Sequence, residues 1–165
     1  MARRVRMAAL CVLCSLLLLG AGVAAGAENV QVRSVAGVAS TSTIPANVKR
    51  ECNIQGDLSA AVAAHAGDSA KLVPKKPSSG LYLNLVITQV HAPGGGMFSG
   101  PKWIEARGEL LRGGKQLRSF RAKRTSGGPG AGTCAMLARV TNAMGKDIAG
   151  WLQNENAGSL LGDAR

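Results

Sequence analysis

From Leu81 to Val90 the chain reads Leu-Tyr-Leu-Asn-Leu-Val-Ile-Thr-Gln-Val, and this stretch constrains the fold more than any other. Successive side chains on a strand point to opposite faces. Leu81, Leu83, Leu85 and Ile87 therefore share one face, while Tyr82, Asn84 and Thr88 share the other. A sheet built on such a strand is covered on one side and open on the other. The rest of the chain has to supply the partner strands and the apolar cover.

The partner strands lie downstream. Trp103 to Leu111 and Lys115 to Thr125 read as a hairpin about Gly113-Gly114, a pair suited to the positive φ angles of tight hairpin turns. Ile104, Ala106, Gly108 and Leu110 form its small and apolar face. A three-residue loop with a bulge puts Phe120 and Ala122 on that face; a two-residue loop puts Leu117 there instead. The bulged register is preferred, because it brings Phe120 into the core and sets Arg121 and Lys123 among Glu105 and Glu109.

The cover comes from two segments of helical period. Asn53 is a good helix-capping residue. After it Ile54, Leu58, Ala61, Val62 and His65 fall on one face, with Gly67 as the stop. His65 is thereby expected in the core. The second helix runs from about Thr133 to Gln153, with Cys134, Leu137, Val140, Met144, Ile148 and Trp151 on its apolar stripe. Val30 and Val32 mark a short first strand. Ala39 to Pro45 and Gly67 to Gly80 read as connectors, and residues 154–165 as a flexible C-terminal tail. The expected fold is α+β: a β-α-β-β-β-α two-layer sandwich, its sheet mainly antiparallel, with two helices on one face and one disulfide. Residues 28–153 form this single domain.

The first 27 residues have a different character. Arg3, Arg4 and Arg6 precede an uncharged apolar run from Met7 to Leu19, and small residues continue to Ala27. This is the pattern of a secretory signal peptide, and Ala25-Gly26-Ala27 fits its cleavage site. Val23-Ala24-Ala25 is a second choice. An uncleaved anchor is the competing reading, since Met7 to Ala25 is just long enough to span a bilayer. The glycines and small residues at the end of the run favour cleavage, which leaves no stable membrane anchor. Removing 27 residues from 165 leaves 138, enough for one domain with a real core.

Export decides the state of the cysteines. Cys11 and Cys14 leave with the signal, so Cys52 and Cys134 remain in an oxidising compartment, periplasmic or extracellular. One bridge between them closes a loop of about 83 residues, for which chain entropy gives roughly 4–5 kcal/mol before strain. Each cysteine stands at the opening of a helix, so the bridge requires two helices running roughly parallel. Neither has a C-x-x-C partner or a neighbouring histidine to activate it as a thiolate.

Charge points to the class of partner. The signal holds three of the 20 basic residues and none of the nine acids, so the mature chain keeps a net charge of +8. Such an excess favours anionic partners or simply maintains solubility. Lys102 to Arg124 concentrates it, with eight basic residues against Glu105 and Glu109. Arg107, Arg118, Arg121, Lys123 and Arg124 are the candidate anion-binding residues; the bulged register sets Arg121 and Lys123 outward, while Arg118 and Arg124 have to bend to the rim, and protection of a sheet edge is the alternative role. Met97-Phe98, at a glycine-rich tip, is a candidate loop contact that either meets a partner surface or folds onto the core.

Other chemistries find little support. Gly127 to Thr133 opens a helix as a phosphate loop does, but no lysine precedes Thr133 as a nucleotide-binding loop requires. The α-β-β-β-α order is shared with double-stranded-RNA-binding domains, yet the second helix opens without lysines and export removes the chain from RNA. Nucleic acid is excluded as a partner. No metal-ligand spacing, nucleophile elbow or cofactor motif is present, so no cofactor and no metal are expected. The best candidates for an enzyme are His91 and Glu105, which within hydrogen-bond reach of each other would suit a hydrolase or transferase.

Ser126-Gly127-Gly128, Cys134, Leu137, Arg139, Lys146-Asp147-Ile148-Ala149 and Trp151-Leu152, with the strand-rich layout from Leu81 to Thr125, resemble uncharacterised small exported proteins of Gram-negative bacteria. From Cys52 to Leu152 the chain is more distantly similar to the periplasmic α/β domain of envelope lipoproteins, including curli-secretion channel proteins, without their lipid-bearing cysteine. The resemblance implies a fold and a compartment rather than an activity. The function expected is an extracytoplasmic binding or envelope-assembly domain, soluble once cleaved, that contacts an anionic glycolipid, a polysaccharide or an envelope protein. A hydrolase or transferase acting on the envelope is the alternative. Intact-mass measurement of the exported protein is expected to show a chain beginning at Glu28, or at Gly26 if the second site is used. A product that still carries Arg3 would overturn the assignment.

Overall fold

The computed structural model describes residues 28–93, 100–126 and 132–165. The signal segment, Met97-Phe98 and the glycines of 127–131 lie outside the described residues. The elements are strands β1 (Val30–Arg33) and β2 (Gly37–Val38), helices α1 (Ala46–Glu51) and α2 (Ile54–Ala66), strands β3 (Ala70–Val73), β4 (Leu81–His91), β5 (Trp103–Arg112) and β6 (Lys115–Thr125), helix α3 (Thr133–Gln153) and strand β7 (Leu160–Gly162). The fold is α+β, and its strands form one sheet in the order β3-β1-β4-β5-β6-β7, with β2 also beside β4. The central pairs β4–β5 and β5–β6 are antiparallel; β1, β2 and β3 pair in parallel, as does β7 with β6.

The alternation of β4 behaves as expected over its first half. Leu83, Leu85 and Ile87 are buried in the core with Val32, Ile104, Ala106 and Ala122. Phe120 stands opposite Gly108, whose missing side chain leaves room for the ring. On the core side Phe120 meets Trp151 edge-to-face, with ring centroids 4.9 Å apart. The hairpin has both a two-residue turn and a bulge, where the sequence reading treated them as alternatives. Arg112 pairs with Lys115 across Gly113 and Gly114, at φ 55° and 84°. The register then shifts between Leu110 and Leu111, and Leu117 is the extra residue on β6. Leu117 is thus left largely exposed, and the bulge restores Phe120 to the buried face.

The two long helices pack side by side on that face and run parallel. Cys52 and Cys134 are bonded at their N-terminal ends, with Cα atoms 5.2 Å apart. Near their C-terminal ends the Gln153 amide donates to the Ala66 carbonyl at 3.4 Å. Between them the backbones approach so closely that a Cβ at Gly145 would lie 2.5 Å from the Ala61 Cβ. His65 corrects an expectation: it is exposed, and its Nε2 lies 2.6 Å from Asn142 Oδ1 on α3. Helical period placed it at the margin of the apolar stripe, where a polar ring reaches sideways to the neighbouring helix.

Besides the two-residue strand β2, three further elements depart from the sequence reading. Helix α1 occupies the stretch after Pro45, where proline starts a turn that is too short to show a period. Strand β3 lies inside the supposed connector 67–80, pairing Val30–Arg33 with Ala70–Val73 at the sheet edge. The supposed flexible tail carries β7, fixed beside Arg121–Lys123. Strands of three or four half-exposed residues have too little periodicity to identify alone. Replacing both cysteines by serine is expected to cost about 2–5 kcal/mol, measured by urea unfolding. Gly145→Val is expected to destabilise by about 1–3 kcal/mol through overpacking. Unchanged midpoints would mean that neither the clip nor the close approach holds the helix pair.

Candidate functional site: the open sheet face

Helices cover one face of the sheet, so the outward side chains of β4, β5 and β6 form rows across the other. Register places His91 opposite Trp103, and Trp103 opposite Thr125. The next row is Gln89–Glu105–Lys123, followed by Val86–Arg107–Arg121 and then Asn84–Glu109–Ser119. Most of the polar groups in these rows are engaged. Lys123 Nζ lies 2.9 Å from Glu105 Oε1 and 4.2 Å from the centre of the Trp103 ring. His91 stacks on Trp103 at 5.3 Å. The Asn84 amide donates to Glu109 at 3.2 Å.

Arg107 and Arg121 are the exception. They face one another directly across β5 and β6, both exposed, and neither has an acidic or hydrogen-bonding partner among the described residues. Like charges directly opposite on a sheet are destabilising. Two guanidinium forks side by side match the geometry of a carboxylate or phosphate.

The five candidate cations divide by strand parity. Arg107, Arg121 and Lys123 face outward. Arg118 and Arg124 point to the helix side and are taken up by structure. The Arg118 guanidinium lies 4.0 Å over the Trp151 ring and donates to the carbonyls of Trp151 and Asn154, at 2.8 and 3.1 Å. It thereby satisfies carbonyls that the end of α3 leaves without helical partners. Arg124 makes a two-pronged pair with Asp147 on α3, at 2.6 and 2.7 Å, and reaches Asp163 at 3.6 Å. The Asp147 hydrogen bond holds the Arg124 guanidinium above its ordinary pKa, against the opposing effect of burial.

Asp163 fixes the segment after β7. Its carboxylate accepts from the Thr125 N–H at 2.9 Å, and its own N–H donates to the Lys123 carbonyl at 2.9 Å. Asp163, Ala164 and Arg165 form one wall of a groove of about 620 Å³, whose floor includes Glu105, Arg107, Arg121 and Lys123 and whose far side holds Thr88 and Gln89. That volume lies within the roughly 300–1,000 Å³ of small-ligand sites.

Sequence reasoning missed the contribution of Thr88 and Gln89. Ile87 pairs with Ala106 and Gln89 with Glu105, so Thr88 is an extra residue in a bulge of β4. Two consecutive side chains therefore line the groove. The signal was present in the sequence: Leu81, Leu83, Leu85 and Ile87 are followed by Val90 as the next buried residue, one place out of phase.

No ion pair joins His91 to Glu105 among the described residues. Glu105 serves Lys123, while the exposed His91 borders a separate shallow depression with Ile44, Pro45 and Asn47. No group of three or more metal-ligating side chains occurs among the described residues. Among the same residues no helix is long and apolar enough to cross a membrane.

Fold and site together define an α+β domain with one helix-covered sheet face and one open, charged face. No family model matches the chain, and no curated protein does. Solved structures give distant likenesses. A PelC dodecamer from Paraburkholderia phytofirmans is 15% identical, with a TM-score of 0.47 over 72% of this chain and 83% of that one. Protein XCC0632 from Xanthomonas campestris, of the DUF330 family, is 14% identical, with a TM-score of 0.49 over 76% of this chain and 83% of that one.

The division of the arginines has a measurable consequence. Arg118→Ala and Arg124→Ala are each expected to destabilise the fold by about 1.5–3 kcal/mol, the usual range for hydrogen bonds to charged groups. Arg121→Ala is expected to stay within about 0.5 kcal/mol. Equal urea midpoints for the three variants would overturn the division.

Proposed function

We propose that this chain is an extracytoplasmic binding module whose open sheet face holds an anionic group of an envelope component between Arg107 and Arg121. One observation carries the reading: two exposed arginines, unpaired among the described residues, stand directly opposite each other on a face where the neighbouring charges are neutralised or hydrogen-bonded. An anion between them removes their repulsion and accepts from both forks. The signal-like N-terminus, the Cys52–Cys134 bridge and the resemblance to small exported proteins support a periplasmic or secreted location. The net positive charge supports attraction of an anionic partner.

The test is retention of the mature chain on a phosphate-bearing resin across a salt series. Arg107→Glu with Arg121→Glu is expected to remove most retention while leaving the thermal midpoint nearly unchanged. Because the double variant also alters net charge, Lys49→Glu with Lys75→Glu, at exposed positions away from the groove, serves as the matched control. It is expected to shift elution only slightly. Equal shifts for the two double variants would show that the arginine pair contributes nothing beyond total charge.

A further inference from the structure

The geometry points to an acidic sugar as the ligand of this groove: a saccharide ring whose carboxylate or phosphate lies between Arg107 and Arg121 and whose hydroxyls meet Thr88, Gln89 and Glu105. The inference rests on the anion-binding reading and extends it to the rest of the molecule bound. Three observations carry it.

The first is the bulge in β4. A regular strand would send Thr88 and Gln89 to opposite faces. The extra residue at Thr88 turns both toward the groove, directly beside the arginine pair. Bulges re-aim side chains in this way next to functional sites. The hydroxyl of Thr88 both donates and accepts, and the amide of Gln89 offers two donors and a carbonyl acceptor. Neither side chain has a hydrogen-bonding partner among the described residues.

The second is the mixture of charges. A simple anion has no use for a carboxylate nearby, yet Glu105 and Asp163 line the same groove as Arg107, Arg121 and Lys123. A sugar hydroxyl donates as well as accepts, and it suits carboxylate and cation together. Glu105 gives one oxygen to Lys123 and keeps the other for such a donor.

The third is what the groove lacks. Among the described residues no large apolar side chain lines it. An anionic bilayer would favour inserted large apolar side chains. A hydroxylated, water-soluble anion fits the groove and a lipid surface does not.

The experiment is a heteronuclear NMR titration of the mature chain with four probes: glucuronate, inorganic phosphate, glucose and a galacturonate oligomer. Glucuronate is expected to bind at least about tenfold more tightly than phosphate, and glucose not to bind. Thr88→Ala with Gln89→Ala is expected to weaken glucuronate about tenfold and leave phosphate unchanged. Gln89→Ala alone, at an exposed position, gives a smaller loss in the same direction should the double change disturb the bulge. Arg107→Glu with Arg121→Glu is expected to lose both ligands. Shifts spreading along the sheet with the oligomer identify a polymer as the source of the sugar, while shifts confined to the groove identify a single unit.

Phosphate binding with glucuronate no tighter, or glucuronate affinity unmoved by both Thr88 and Gln89 variants, overturns the sugar while the anion site stands. Failure of glucuronate and phosphate alike overturns both readings. Binding to phosphatidylglycerol vesicles without binding to glucuronate also overturns the inference.

Discussion

Burial of one face of the β4–β5–β6 sheet beneath α2 and α3 is the constraint on which the other features depend. The helices seat a continuous apolar layer from Leu58 and Val62 through Leu137, Met144 and Ile148 to Trp151 against Leu83, Ile87, Ile104 and Phe120. Two devices hold them together. The Cys52–Cys134 bond fixes their openings, and the bare backbone at Gly145 lets them approach at mid-length. With both helices on one side, the other side of the sheet carries the polar rows, next to a buried Tyr82–Leu111 pair. The open face follows directly from where the cover lies.

The same layer assigns the basic residues of the hairpin. Once Phe120 is committed to the core, strand parity sends Arg118, Ala122 and Arg124 inward and Ser119, Arg121 and Lys123 outward. An arginine at the margin of a core needs charge partners or carbonyls, and both find them on α3. Arg118 meets the end of the helix; Arg124 meets Asp147. These contacts also tie down the chain beyond the helix, because Arg118 holds Asn154 and Arg124 reaches Asp163. The basic cluster therefore divides into structural cations and outward ones. The free pair lies where the C-terminal segment, fixed through Asp163, raises one wall of a groove.

Much of the architecture was legible because long periodic segments leave few alternatives. The β4 alternation, the hairpin, helices α2 and α3 and the parallel helix pair implied by one bridge all follow from spacing in the sequence. The missing parts were short. β3, α1 and β7 span three to six residues each, and their identity depends on backbone partners far along the chain. The groove was legible only in part. Arg107 and Arg121 were named among five candidates, while Thr88 and Gln89 went unnoticed, although the displaced Val90 carried the trace of their bulge.

The sequence by itself determined a one-sided sheet, two covering helices, their disulfide and an excess of positive charge on the β5–β6 hairpin, because each is written in local period or composition. Only the tertiary structure decided which charges are free. The Trp151 carbonyl and the Asp147 and Asp163 carboxylates lie 23 to 39 residues from the arginines they engage. No local pattern encodes a contact over that distance. It is set by helix packing and by a one-residue shift of register, which decides the face on which each side chain stands.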